Sequence, residues 1–173
     1  DFMLSDVYLS VLEAIKYSSY KLGLKAEIHY LSSIEFEKGK KLSDLKKYDG
    51  VLVPGGFGTT GVDGKLKVIE YIRKNKIPYF GICYGLQLAV TEYVRNVAKF
   101  KDVTAAEFVK VHKGAKRFVV DIMDDQKAKL AERDMGGTMR LGEYKAVLTK
   151  GSLAAKAYGG TSISERHRHR YEA

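Results

Sequence analysis

The run Gly81-Ile82-Cys83-Tyr84-Gly85-Leu86-Gln87 carries the chain's one cysteine, and it restricts what the chain can fold into. Residues 77–82 read as a short buried strand and residues 84–98 as an amphipathic helix. A strand that turns into a helix around a single residue needs an unusually tight backbone. Glycines two positions before and two after Cys83 permit that turn. The start of a helix behind a thiol favours the thiolate, which is the nucleophilic form. The arrangement is the thiol counterpart of the G-x-S-x-G nucleophile elbow. A cysteine on its own is more often an inert buried thiol. The strand-to-helix setting shifts the reading to covalent catalysis.

The rest of the first hundred residues alternates in the same way. Asp6 is placed to cap a first helix that runs to Leu22, with Tyr8, Leu12, Ile15, Ser19 and Leu22 on one face and Gly23 after its end. Residues 26–31 read as a strand, 32–41 as a polar loop and 42–48 as one helical turn. Residues 50–54 form a second buried strand that runs into Gly55-Gly56-Phe57-Gly58. A loop to Gly64 leads into a helix ending near Lys76, with Leu66, Ile69 and Ile72 inward. This β-loop-α order predicts an α/β fold, a doubly wound, mostly parallel sheet with helices on both faces. Beyond Ala98 the pattern changes. Residues 117–123, 139–149 and 162–171 read as extended, with a short helix near 152–158.

Length and charge narrow the function classes. One domain is the default reading of 173 residues, enough to bury a core. A lone cysteine makes no internal disulfide, which points to a reducing compartment. No apolar run reaches the length of a membrane span. The net charge of +9 comes from lysines scattered over several segments. A solvated basic surface is favoured over nucleic-acid binding, which needs a stripe interleaved with aromatics.

Two further runs carry chemistry. Gly55-Gly56-Phe57-Gly58 ends a strand and, in a doubly wound sheet, would share a crevice with the end of the next one. It lacks the lysine and hydroxyl of a P-loop and is too short for a dinucleotide fingerprint. A backbone N–H in this loop, paired with that of Tyr84, would form an oxyanion hole facing Cys83. Alone, the loop is simply a turn. On a strand, Arg166, Arg168 and Arg170 share one face and His167, His169 and Tyr171 the other. A bidentate arginine suits a substrate carboxylate. The adjacent arginines oppose a cation, so no metal site is assigned. A solvated edge strand explains this run about as well. Glu107, read alone, is a surface carboxylate.

Together these segments resemble the glutaminase domain of the CTP synthases, within the triad-type (class I) glutamine amidotransferases. The Gly-x-Cys-x-Gly-x-Gln elbow is shared by the whole amidotransferase class. The stretches Met135-Gly136-Gly137-Thr138-Met139-Arg140-Leu141-Gly142 and Glu165-Arg166-His167-Arg168-His169-Arg170-Tyr171-Glu172 are more specific to CTP synthase. Residues 6–14 and 53–58 join the resemblance, which covers nearly all of the chain.

The resemblance implies roles. Cys83 would attack the side-chain amide of L-glutamine, with the Gly56 and Tyr84 amides as oxyanion hole. Gly85, Leu86 and Gln87 would line the glutamine pocket. Glu107 would bind the α-amino group and Arg170 the α-carboxylate. Loop 59–64 would be a lid linked to GTP activation. No cofactor is expected in this domain. ATP, Mg and UTP belong to a separate N-terminal amidoligase domain that receives the ammonia and makes CTP. A cytoplasmic homo-oligomer, a tetramer, is implied, with neither nucleic acid nor membrane as partner.

Residues 1–173 are expected to form one amidotransferase domain, partial at both ends, without the family's first strand. The family's base is a histidine in a later His-Pro-Glu segment, and none of His29, His112, His167 or His169 has that context. Low activity is therefore expected of the chain alone. Two alternatives stand beside this reading. One is an amidotransferase of the GMP synthetase or anthranilate synthase type. The other is a catalytically incomplete binding or assembly module.

Overall fold

The computed structural model describes residues 5–132, 137 and 139–173. The chain forms two compact units, one up to Val120 and one spanning Asp121–Glu172.

In the first unit a 3-10 turn leads into helix α1, Leu9–Lys21. Its cap position is Tyr8, with no side-chain cap, so the helix begins later than a cap at Asp6 predicts. Tyr8, Leu12, Ile15 and Ser19 are half-buried as the spacing predicts, but Leu22 is exposed. Residues 26–31 are not a strand. Ala26 and Ile28 alternate inward, yet the segment joins no ladder among the described residues. A period-2 pattern supplies a face; only a hydrogen-bonded neighbour makes a strand.

The polar reading of 32–41 is also overturned. Helix α2, Ser33–Glu37, lies there and buries Phe36. Phe36 joins Leu45, Val68 and Ile72 in the core, with Val51, Ile77 and Tyr79 packed against them. One aromatic in a charged stretch was enough to dock a helical turn.

Strand β1, Val51–Val53, runs parallel to β2, Tyr79–Gly81, in the register Val51↔Tyr79 to Val53↔Gly81. Between them lies α3, Val62–Lys74, which buries Val62, Gly64, Val68, Ile69 and Ile72. Val68 takes the inward position, and Leu66 is half-buried. The expected lid is shorter than predicted, because α3 begins at Val62. Its first amides are capped from a distance: Glu37 Oε1 accepts from Asp63 N at 3.1 Å and Gly64 N at 3.4 Å. Helix α4, Tyr84–Asn96, follows β2 after two residues. Arg73 on α3 clamps the buried Glu92 of α4 through two hydrogen bonds, at 2.8 and 2.6 Å.

Strand β3, Val103–Ala105, is fully buried and was not foreseen; three residues are too few for a readable period. It pairs in parallel with β4, Arg117–Ile122. The α/β fold with parallel strands and flanking helices is thus observed.

In the second unit α5, Asp124–Ala131, was also missed. Strands β5, Arg140–Val147, and β6, Ser162–His169, form an antiparallel hairpin around α6, Leu153–Tyr158. Ser152 caps α6 through its hydroxyl, at 3.1 Å from Ala155 N. Strand β7, Tyr171–Glu172, pairs with Asp121 and Ile122. Part of the Met135–Gly142 motif lies outside the described residues.

Candidate functional site

The turn between β2 and α4 is as tight as the glycine spacing demands. Cys83 sits at φ +50° and ψ −104°, a strained conformation for a residue with a side chain. A Cβ on Gly81 would lie 2.6 Å from the Gly85 carbonyl carbon, and one on Gly85 would lie 2.2 Å from Val53 O. Both glycines are therefore steric requirements. The crossing is held by Ile82 N donating to Val53 O at 3.0 Å and the Tyr79 hydroxyl donating to Gly85 O at 2.7 Å. The cysteine is free and exposed.

The glycine loop folds over this turn. The Cβ position of Gly55 is 3.5 Å from Cys83 Cβ, and that of Gly56 is 3.8 Å from the Tyr84 ring. The backbone N–H groups of both Gly56 and Tyr84 lie near enough to the thiol to pull its pKa down. These are the two amides that the sequence nominates as an oxyanion hole.

The thiol's acidity is set by opposing effects. Burial pushes the Cys83 pKa up, the amides of Tyr84 and Gly56 pull it down, and the Glu107 charge pushes it up again. The net direction is upward. Burial and Glu107 likewise raise the Tyr84 phenol, whose hydroxyl donates to Gly58 O.

Glu107 lies on a 3-10 turn, Ala106–Phe108, directly after β3. Its Oε1 accepts from Gly58 N at 2.9 Å. The surface reading of this residue is corrected: Glu107 is half-buried and built into the loop beside Cys83. Gly85 and Gln87 are buried, whereas Leu86 is exposed. Gln87 is 7% exposed, and its side-chain carbonyl oxygen has no hydrogen-bond partner among the described residues.

Arg170 belongs to the second unit. It is buried, and its guanidinium donates to Gln126 Oε1 at 2.7 Å. Gln126, on the unforeseen α5, is a partner that sequence reasoning missed.

Sequence reasoning also passed over Lys65 and His112. Lys65 Nζ lies 5.7 Å from the Tyr84 ring centroid and donates to Thr60 O at 2.9 Å; burial lowers its pKa. His112 bonds to Thr104 and Asp63, each at 3.0 Å. Helical spacing from Gly61 could have indicated Lys65. Nothing in the sequence marks His112. No group of three His, Cys, Asp or Glu among the described residues stands ready for a metal ion. No described helix is long and apolar enough to cross a membrane.

The chain is 48% identical over 170 residues to a CTP synthase of Methanosarcina barkeri, covering 98% of this chain and 31% of that protein. It is 47% identical over 171 residues to a CTP synthase of Corynebacterium jeikeium, covering 98% of this chain and 30% of that one. The chain thus spans about a third of the length of these relatives. A solved structure, the glutaminase domain of Trypanosoma brucei CTPS with bound acivicin, superposes with a TM-score of 0.80 at 38% identity. That match covers 97% of this chain and 62% of the other. Residues 3–173 fit the family profile described as Glutamine amidotransferase class-I, and the chain belongs to that family.

Proposed function

We propose that this chain is the glutaminase part of a CTP synthase, and that it hydrolyses L-glutamine to glutamate and ammonia through Cys83. The observation that carries the reading is the strained elbow that holds Cys83 at φ +50° at the start of α4, with the glycine loop so close that a Cβ on Gly55 would lie 3.5 Å from Cys83 Cβ. The thiol, once deprotonated, attacks the side-chain amide carbon. The carbonyl oxygen becomes an oxyanion that the two amides hold. Collapse breaks the C–N bond, the nitrogen leaves with a proton as ammonia, and a glutamyl thioester remains. Water attacks the thioester, releases glutamate and returns the thiol.

A free amino acid presents one cation and one anion. Glu107 answers the ammonium and Arg170 the carboxylate. Gly85 and Leu86 give the pocket its backbone wall. The orphaned carbonyl oxygen of Gln87 is the kind of buried acceptor that a ligand donor satisfies. The ammonia passes to an N-terminal amidoligase domain that uses ATP, Mg and UTP to make CTP, with GTP as effector acting through the loop before α3. The intact enzyme is a cytoplasmic homotetramer, and residues 1–173 contribute one amidotransferase domain to each subunit.

The test is glutamate release from glutamine by the intact protein that carries this sequence, as wild type and as Cys83→Ala. Loss of activity in the variant is expected. Equal activity would remove Cys83 from the reaction.

A further inference from the structure

We infer that His112 is a positioning residue for substrate binding, a staple that fixes Glu107 against the glycine loop. The inference rests on the glutaminase reading of the site. His112 ends the short segment that begins with the Glu107 turn. Its ring Nδ1 is 3.0 Å from Thr104 Oγ1, a buried group on β3. Its Nε2 is 3.0 Å from Asp63 Oδ1, in the first turn of α3. A carboxylate only accepts, so Nε2 carries the proton and donates to Asp63; Nδ1 then accepts from the Thr104 hydroxyl.

The ring also stands edge-on to Phe108, with centroids 5.6 Å apart, and Phe108 is fully buried. Arg95 lies beside the cluster: its Nε donates to Val103 O at 2.6 Å, while its NH1, 3.4 Å from Nε2, faces a ring nitrogen whose proton goes to Asp63 and so makes no hydrogen bond there. His112 therefore joins both ends of the structure around Glu107. One end is β3, just before it. The other is α3, which follows the loop whose Gly58 N–H donates to Glu107. Without the staple, segment 106–112 loses its tie to α3's first turn, and Glu107 loses its fixed place relative to Gly56 and Cys83. The expected defect is in binding the substrate's ammonium, while the nucleophile and its amides stay where they are.

The experiment compares His112→Phe and His112→Gln with wild type in the intact protein. Phenylalanine keeps the ring against Phe108 and removes both hydrogen bonds. Glutamine keeps a donor with the reach of Nε2. His112→Phe is expected to raise KM for glutamine about five- to tenfold, the worth of one or two ordinary hydrogen bonds. The expected kcat stays within about twofold, and His112→Gln recovers most of the loss. The rate of Cys83 alkylation by iodoacetamide, and the melting temperature, report whether the elbow and fold are intact. A KM unchanged in His112→Phe would overturn the inference, and so would equal losses of kcat and KM in both variants. Retention of activity by Cys83→Ala would instead sink the glutaminase reading, which separates the two failures.

Discussion

Replacing Gly85 by alanine should damage this chain far more than an added methyl group ordinarily does. The new Cβ would meet Val53 O at 2.2 Å, Val53 C at 3.0 Å and Val53 Cβ at 3.1 Å, all in one buried residue of β1. Contact at ordinary distance needs a shift of about 1 Å between the start of α4 and the end of β1. Neither side is free to move. Val53 O accepts from Ile82 N at 3.0 Å, Val53 is in register with Gly81, and Gly85 O is held by the Tyr79 hydroxyl at 2.7 Å. A 1 Å displacement stretches these two bonds past useful length, at about 1 kcal/mol each. Overpacking adds about 1–3 kcal/mol. A loss of about 3–5 kcal/mol follows, which for a chain of this size lowers the melting temperature by roughly 6–20 °C. Thermal unfolding by circular dichroism reads the shift. Gly114→Ala, where a Cβ meets nothing within 4 Å, is the control and should change little. The same displacement moves Tyr84 N away from the sulfur, so labelling of Cys83 by an electrophilic glutamine analogue should slow at least tenfold. If Gly85→Ala melts within a degree of wild type and labels normally, the steric account of the elbow is wrong.

Three other outcomes follow from the same geometry. Arg73→Ala strands the Glu92 carboxylate, 1% exposed, and should cost about 2–4 kcal/mol in urea unfolding at pH 7. Burial raises the Glu92 pKa, but its bonds from Arg73 and Asn96 outweigh that and hold it below the usual range. Its contribution is therefore full above the ordinary carboxylate pKa and fades as pH falls through the lowered one, so the gap between variant and wild type should close in acid. Glu107→Gln should act in opposite directions in two assays. KM for glutamine rises roughly ten- to a hundredfold as a charged partner of the ammonium is lost, while iodoacetamide alkylates Cys83 faster near neutral pH because the charge that raises the thiol pKa is gone. A uniform drop in both would refute the assignment. Finally, substrate ammonium paired with Glu107 should relieve the same charge, so the thiol's apparent pKa in kcat should lie below that in kcat/KM. Identical values would count against Glu107 as the ammonium site.

The sequence made the elbow legible because its constraint is steric and local: glycine spacing around one residue encodes a turn that the strand and helix patterns frame. The loop at Gly56 was legible for a similar reason, as a glycine run at a strand end. Glu107 was legible only through the family resemblance, not from its own surroundings. Its place beside the loop comes from a bond to Gly58, 49 residues away, and from a three-residue buried strand with no readable period. Helix α2 was misread because one phenylalanine in a charged run outweighs the run's polarity once a neighbouring helix offers a cavity. Residues 26–31 failed in the opposite direction, since alternation describes a face while strand pairing depends on a neighbour. His112 had no local signal, because both of its partners are set by the tertiary fold.

Loop 55–58 shows that glycine-rich need not mean mobile. Gly55 O accepts the Tyr8 hydroxyl at 3.1 Å, Gly58 N donates to Glu107 at 2.9 Å, and Gly58 O accepts the Tyr84 hydroxyl. The anchors come from the residue before α1, the turn after β3 and the first residue of α4. Both ends of the loop are thus fixed, from three directions, while the one large side chain in it, Phe57, is 90% exposed. Glycine serves geometry here. At Gly58, with φ at +82°, it permits a left-handed turn. At Gly55 it lets the backbone approach Cys83 closely. A donor held this way needs no rearrangement when charge develops on the substrate oxygen, and preorganisation of that kind is what makes an oxyanion hole effective. The anchoring also couples the parts: the loop that aims the Gly56 amide is the one that fixes Glu107. A shift of the loop itself should be felt by both substrate binding and the stability of the transition state.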